Sequence, residues 1–298
     1  MKGSSITSAA QPLDPAERQH LYVLGHPVAH SLSPLLHSRA YDALHLNWEY
    51  GRADCPAEAE ARAFIEQRAF LAINITMPYK PLALATATWK SAAAVLAQGA
   101  NVLAVRGDEM LADNTDGKGC VMALKREGVV FEGARIIVCG TGPTSLSIAH
   151  AVACAGAVRI DLLGRDEAKA QRILDGYRAR ARGVGVSETA EFVAGDYASA
   201  CDAIERADII LDATPLGMKS GDPAPFDTAL LSGKQTVFDV VYGHGDTALV
   251  SAARQVGCSV FDGYGMLVGQ AVETVYDLID WFDVPVNLDK VDLFSIMQ

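Results

Sequence analysis

Short apolar runs alternate along this chain with longer stretches in which apolar residues recur every three or four positions, the periods of buried strands and amphipathic helices. The first run, at residues 21–24, is stopped by Gly25 and Pro27 and reads as a strand. Pro34 opens a helix to about residue 44, because the first turn tolerates a residue without an N–H. Residues 47–53 read as a strand, 56–67 as a helix rich in alanine and glutamate, and 70–75 as a strand. A helical stretch then starts at Pro78, and residues 101–105 and 110–112 form a hairpin about Gly107-Asp108. A helix covers residues 115–127. Beyond it, strands at 135–139, 158–163, 191–193, 209–211, 236–240 and 259–261 alternate with helices at 144–155, 166–182, 197–206 and 247–256, before a long helix at 266–281.

Strands alternating with helices build a parallel, doubly wound α/β sheet. At 298 residues the chain exceeds what one core usually holds, so two domains are expected. We expect an α/β domain over residues 20–116 and a Rossmann-like domain over 117–263, with 264–298 returning to the first. The return is expected because the last helix carries Gln270 on a face that a cofactor domain would not need polar. Residues 1–19 have no apolar period and read as a flexible arm; they also lack the apolar core of a cleavable signal.

Half of the residues are hydrophobic and 20% are charged, the balance of a folded α/β enzyme. The net charge of −11 argues against nucleic acid as a partner, since phosphate backbones need a positive field. It leaves room for a small anionic substrate, which reads only its own pocket. No apolar run approaches the roughly 18 residues of a membrane span, so a cytoplasmic protein is expected; monomer and homodimer both stay open. No two of the six cysteines stand at C-x-x-C spacing, and those in apolar runs read as small buried hydrophobes. His26, His30 and His37 lack acidic partners at ligand spacing, so no metal is expected.

Two segments carry candidate chemistry. Asn74-Ile-Thr76-Met-Pro78-Tyr-Lys80 ends in a lysine at a strand-to-helix turn, and Asp113-Asn-Thr-Asp116-Gly117 places a carboxylate at another helix start. Either motif alone is ordinary: most lysines are solvated, and Asp-Asn-Thr is common turn chemistry. Together, a lysine and an aspartate form a pair that moves a proton to or from an oxygen on carbon. The loop Gly140-Thr-Gly142-Pro-Thr144-Ser145 follows a strand and opens a helix, the setting of a dinucleotide loop. Gly140 permits a tight turn, and Gly142 lets backbone approach a pyrophosphate at the helix N-terminus. Arg165 and Lys169, after the next strand, suit the 2′-phosphate of NADP; Asp166 between them suits either the ribose of NAD or a helix cap. Ser31 and Ser33, ahead of the Pro34 helix, read as caps or as hydroxyl donors to a carboxylate.

The ordered blocks G-x-P-V-x-H-S-x-S-P from Gly25, N-I-T-x-P-Y-K from Asn74, D-N-T-D-G from Asp113, Ala213-Thr-Pro-Leu-Gly217-Met218, Asp239-Val-Val-Tyr242 and Gly265-Met-Leu-Val-Gly-Gln270 resemble the shikimate dehydrogenase family. The resemblance covers nearly the whole chain from Leu21. It implies an NADP(H)-dependent oxidoreductase interconverting 3-dehydroshikimate and shikimate, with a substrate domain, a Rossmann-like domain and a cleft between them. It also implies that Ser31 and Ser33 hold the substrate carboxylate with Tyr242 nearby, and that Asn74, Thr76, Asn101 and Gln270 bind ring hydroxyls. Lys80 and Asp116 become the catalytic pair, and Thr214, Leu216, Val240, Gly263 and Met266 border the nicotinamide. Four positions depart from the family pattern: Ala100 before Asn101, Pro143 in place of a third loop glycine, Gly164-Arg165-Asp166 for N-R-T, and Asp212-Ala-Thr214 for N-A-T. All but the first lie in the cofactor domain, and they also fit an NAD-dependent quinate/shikimate dehydrogenase. A non-catalytic nucleotide sensor on the same fold would have no use for Lys80 and Asp116.

Overall fold

The computed structural model describes residues 13, 14 and 16–298, so most of the expected arm at 1–19 lies outside the described residues. The chain divides into two compact units, one containing the described residues up to Thr115 together with Val268–Gln298, the other Asp116–Leu267.

The first unit runs β1 (Gln19–Gly25), α1 (Ser33–Ala43), β2 (Trp48–Asp54), α2 (Glu58–Gln67), β3 (Ala72–Ile75), α3 (Lys80–Thr86), β4 (Trp89–Lys90), α4 (Ala92–Ala97), β5 (Val102–Arg106) and β6 (Glu109–Asp113). Its six strands are ordered β2-β1-β3-β5-β6-β4. β1 lies parallel to β2 and β3, whereas β5 is antiparallel to both β3 and β6. The sheet is thus mixed, and its antiparallel β5–β6 pair is the hairpin expected about Gly107-Asp108. The reason is local: the short turn at Gly107, with φ +58°, returns the chain at once, and only an antiparallel neighbour is reachable that way. The stretch after Pro78 is likewise not one helix. Trp89 and Lys90 pair with Leu111 and Ala112 of β6, and α4 restarts where Ser91 Oγ accepts the Ala94 N–H at 3.0 Å. Leu24, Ile73, Ile75 and Leu103 of the sheet pack with Ala61 and Ile65 of α2 and Leu82 and Ala83 of α3.

The second unit runs α5 (Asp116–Arg126), β7 (Arg135–Cys139), α6 (Pro143–Cys154), β8 (Arg159–Gly164), α7 (Glu167–Gly183), β9 (Glu191–Asp196), α8 (Cys201–Glu205), β10 (Ile209–Asp212), β11 (Thr236–Asp239), α9 (Ala248–Val256) and β12 (Ser259–Phe261). Every strand pair is parallel, in the order β12-β11-β10-β7-β8-β9. This is the doubly wound order, whose winding direction reverses between β7 and β10.

Helix α10 (Gly263–Trp281) starts in the second unit and belongs to the first from Val268 onward. Within the first unit Trp281 meets Trp89 edge-on, and its carbonyl accepts from Arg106 at 3.3 Å. A short final helix, α11 (Leu293–Met297), was not expected from the sequence; Asp292 caps it, and Arg39 of α1 donates to the Met297 carbonyl at 3.3 Å. No helix among the described residues is long and apolar enough to cross a membrane. Of the cysteines, Cys55, Cys120 and Cys139 are buried, but Cys154 and Cys201 are exposed, against the expectation for apolar runs.

Candidate active site

In open α/β sheets ligands bind beyond the carboxyl ends of the strands where the winding reverses. In the first unit that point lies between β1 and β3, because β2 sits on the far side of β1. The loops leaving these strands are tied together: the Thr76 N–H donates to Leu24 O at 2.9 Å and the His26 N–H to Met77 O at 3.2 Å. The β1 loop carries the serines. Ser31 Oγ donates to Ser33 Oγ at 3.2 Å and accepts the Ser33 N–H at 3.3 Å, so two hydroxyls stand side by side at the start of α1. β3 carries Asn74, the loop after it Thr76, and the first position of α3 Lys80. The Lys80 carbonyl accepts the Ala100 N–H at 3.0 Å, which places this turn beside Asn101.

Asn74 and Asn101 are buried and held in one hydrogen-bonded row. Tyr50 Oη donates to Asn74 Oδ1 at 2.8 Å, and Asn74 Nδ2 donates to Thr274 Oγ1 at 3.0 Å. Thr274 Oγ1 in turn donates to Gln270 O at 2.8 Å. Asn101 Nδ2 donates to Thr115 Oγ1 at 2.9 Å and to Gln270 Oε1 at 3.4 Å, while Asn101 Oδ1 accepts the Thr115 N–H at 2.8 Å. The arrangement brings together Asn74, Asn101 and Gln270 from strand ends and a helix far apart in sequence. It also adds three residues that sequence reasoning did not assign to the site: Tyr50, Thr115 and Thr274. Thr274 stands one helical turn after Gln270, a spacing that was readable. Tyr50 had no local signal.

The three histidines fall into separate settings. His37 is fully buried, stacks on Tyr50 with ring centroids 4.3 Å apart, and bonds Tyr41 Oη at 3.0 Å; burial pushes its pKa down to about 3, so it is a neutral core ring. His26 lies 2.9 Å from Asp54 at the surface, and His30 is exposed. Among the described residues no group of histidine, cysteine and acidic side chains is arranged to hold a metal.

In the second unit the winding reverses between β7 and β10, and the loops after these two strands carry Gly140–Ser145 and Thr214–Met218 respectively. Gly140 has φ +102°, and a Cβ there would stand 2.7 Å from Ser145 Oγ and 3.3 Å from Ala213 O, so only glycine fits. Gly142 is exposed and caps α6, with open space where its Cβ would project. The N–H groups of Thr144 and Ser145 lie in the first turn of α6, where no intrahelical acceptor exists. Ser145 itself is fully buried, so its hydroxyl forms the floor of the turn and presents nothing outward. The Gly140 N–H donates to Leu163 O at 2.8 Å, which sets this turn beside the end of β8. There Arg165 and Lys169 are exposed, while Asp166 Oδ1 accepts the Lys169 N–H at 2.9 Å as the cap of α7. Asp161 forms a bidentate pair with Arg159 at 2.8 and 2.9 Å, well short of the strand end.

After β11, Val240 packs directly against Gly263, where a Cβ would meet Val240 O at 1.9 Å. Tyr242 is half-buried on the same loop, and burial raises its pKa. Leu216 is half-buried, Thr214 is buried, and Met266 is buried near the start of α10. Asp116, the buried first residue of α5, accepts from Thr144 Oγ1 at 3.3 Å, linking it to the start of α6. The two helices approach closely at Gly117, whose N–H donates to Ser147 Oγ at 2.9 Å and whose Cβ would fall 2.1 Å from Ser147 O.

A doubly wound sheet with a glycine turn at its reversal point and basic side chains after the neighbouring strand defines a nucleotide-binding protein of the Rossmann type. A profile of the shikimate dehydrogenase substrate binding domain matches residues 23–103. The NADP(+) shikimate dehydrogenase of Rubrobacter xylanophilus is 37% identical over 255 residues, 84% of this chain and 87% of that protein. The corresponding enzyme of Symbiobacterium thermophilum is 33% identical over 254 residues, 84% of this chain and 85% of its own. A crystal structure of shikimate 5-dehydrogenase from Thermus thermophilus, in complex with NADP(H) and shikimate, is 28% identical with a TM-score of 0.74, covering 94% of this chain and 98% of that one. The chain belongs to the shikimate dehydrogenase family.

Proposed function

We propose that this protein is a shikimate dehydrogenase, reversibly reducing 3-dehydroshikimate to shikimate with NADPH, in the cytoplasm and as a monomer or homodimer. Bound NADPH supplies the hydride. Residues fit for holding it are the Gly140–Gly142 turn, the first-turn N–H groups of α6, and Arg165 with Lys169, all at one end of the second sheet. Arg165 favours the 2′-phosphate, and Asp166 does not compete for a ribose on the oxygen it commits to capping. Thr214, Leu216, Val240, Gly263 and Met266 border the nicotinamide in this reading.

The single observation that most supports the substrate is the bonded row through Tyr50, Asn74, Thr274, Gln270, Asn101 and Thr115. It holds neutral donors and acceptors rigidly, the array a polyhydroxylated ring requires. Ser31 and Ser33 hold the carboxylate through hydroxyl donors, with Tyr242 nearby, and Thr76 joins Asn74, Asn101 and Gln270 on the ring hydroxyls. Carbonyl reduction builds negative charge on oxygen. Lys80, as an ammonium, stabilises that charge and donates the proton; in the oxidative direction its neutral amine takes the proton back. Asp116 orients a ring hydroxyl and shares the proton with Lys80, so the two act as a coupled pair. Asp116 directly follows Thr115, whose backbone is bonded to Asn101.

The test is an absorbance assay of nicotinamide reduction with shikimate and with quinate, each against NADP and NAD. Shikimate with NADP should give the highest kcat/KM. A quinate value equal to or above it would instead make the protein a quinate/shikimate dehydrogenase, and no turnover with any pair would leave a nucleotide sensor.

A further inference from the structure

Two aspartates end adjacent strands of the second sheet. Asp212, the last residue of β10, is in register with Asp239, the last of β11, and with Cys139, the last of β7. All three side chains therefore project on one face at the carboxyl edge, and Asp212 and Asp239 are 1% and 0% exposed. Among the described residues, neither aspartate has a cationic partner within ion-pair distance. Their hydrogen bonding is unequal. Both oxygens of Asp239 accept, Oδ1 from the Val241 N–H at 2.9 Å and Oδ2 from Thr247 Oγ1 at 2.7 Å. Asp212 Oδ1 accepts the Thr214 N–H at 2.8 Å, but Asp212 Oδ2 is buried without a partner.

Two neighbouring carboxylates out of water cannot both ionise cheaply. The one whose oxygens are both satisfied by donors keeps the charge, and the one with an orphaned oxygen keeps the proton. We propose that Asp212 is a positioning residue that holds a proton on Oδ2, and that this proton keeps the Thr214–Gly217 turn seated on the sheet edge. The turn hangs from Asp212 through Thr214, whose Oγ1 accepts the Leu216 N–H at 3.3 Å. It also rests on the Asp239 side, since a Cβ on Gly217 would lie 2.3 Å from Thr247 Cγ2, the residue that donates to Asp239. Loss of the proton would set two like charges against each other at the point from which both loops are suspended.

The other groups facing the pair do not supply a counter-charge. Cys139 is a thiol held neutral by burial and by the two acids. Tyr197, ahead of α8, is a phenol whose pKa burial raises. Asp262 bears on Asp239 with the same sign. Burial, with Asp239 second, pushes Asp212 up to about 7, inside the physiological range. The sign follows. The unfolded carboxyl ionises near its ordinary value of about 4, so stability falls as pH rises from there to about 7 and is flat above.

This inference rests on the proposed cofactor role of the Thr214–Leu216 turn, and its test separates the two. Melting temperature and NADPH affinity, read by nucleotide fluorescence, are measured from about pH 5 to pH 9 for the full chain and for Asp212→Asn, which keeps the acceptor for Thr214 and cannot ionise. The variant should gain melting temperature over the wild type progressively up to about pH 7, with a constant gap above about pH 8. The wild-type NADPH Kd relative to the variant's should rise about threefold to tenfold across the same midpoint, the size that up to one unit of linked pKa produces. A melting gap independent of pH overturns the proton. A gap that follows pH, with a Kd ratio that does not, overturns the positioning role and leaves the proposed function standing. Wild type that binds no NADPH at any pH overturns the proposed function and the positioning role together, and the melting gap still decides the proton. Should Asp212→Asn not fold, Asp239→Asn must move the wild type's own midpoint to lower pH; an unmoved midpoint overturns the pairing.

Discussion

The two sheets solve the same geometric problem with opposite chemistry. Each reverses its winding at one point, and each puts its candidate residues just past the strand ends there. In the first unit the edge is made of side chains. Serine, asparagine, threonine and glutamine groups are bonded to one another before anything arrives, so each already has its orientation. In the second unit the edge is mostly backbone, a glycine turn and a helix start, with two buried carboxyls holding loops in place behind it. Side chains fixed in this way suit the pattern of hydroxyls on a small ring, the role proposed for them. Backbone N–H groups suit charge and tolerate whatever carries it, and in the proposed function Arg165 with Lys169 adds the side-chain contact to the phosphate on the ribose.

That contrast is open to direct attack, and the largest effect should come from the lysine on the side-chain edge. Lys80→Ala should cost about 10²–10⁴-fold in kcat, the usual worth of general acid catalysis. NADPH affinity should stay within about twofold, because in the proposed mechanism the charge serves the reacting oxygen. A kcat loss below about tenfold would take Lys80 out of the mechanism. Asp116→Asn should also impair turnover, and the double variant should lose less than the product of the two single effects, because residues acting as one unit are not additive.

On the backbone edge, Arg165→Ala removes a charge-assisted contact of about 1.5–3 kcal/mol. KM for NADP should rise at least about tenfold while KM for NAD barely moves. Equal loss with both cofactors would show that Arg165 does not read the 2′-phosphate. Close approach rather than charge is the issue at Gly117→Ala, whose new methyl would fall 2.1 Å from a backbone oxygen. Overpacking of this kind costs about 1–3 kcal/mol, a melting temperature lower by several degrees. Gly142→Ala, with open space at its Cβ, should leave melting nearly unchanged and weaken the cofactor alone. The smallest effect belongs to Tyr50→Phe, which removes the donor to Asn74 Oδ1 without changing shape. At about 1 kcal/mol, KM for shikimate should rise about fivefold with KM for NADP unchanged. A shift in the cofactor KM would mean that the two edges are not chemically separate.

What the sequence made legible follows the same division. The second unit was readable almost strand by strand, because parallel strands joined by helices leave a plain alternation, and its glycine turn is local. In the first unit the hairpin was readable but its effect on the sheet was not. β4 was hidden because two residues become a strand only when β6 is beside them. Ser31, Ser33, Asn74, Lys80 and Asp116 announced themselves by their neighbours in sequence. Tyr50 and Thr274 did not, since their part depends on which strand and helix Asn74 meets. Asp212 and Asp239 were visible as residues, but their opposition exists only once β10 and β11 are in register. Likewise, Asp166 looked ambiguous until its oxygen was seen to be used by the Lys169 N–H.

The first unit is discontinuous, and this bears on the order in which a growing chain matures. Domains generally fold as units once their residues are available during synthesis. All of Asp116–Leu267 has been made before the ribosome reaches Val268, so the nucleotide-type unit is free to finish first, although it begins later. The earlier unit must wait. Asn74 has no Thr274 and Asn101 has no Gln270 until α10 is made. A chain stalled or truncated before that helix therefore keeps a complete glycine turn and lacks the far side of its ring-reading row. On the proposed roles such a fragment keeps the phosphate turn but loses Gly263 and Met266 along with the ring-binding row, so a quality-control step that tests substrate binding would reject it while one that tests only the phosphate turn would not.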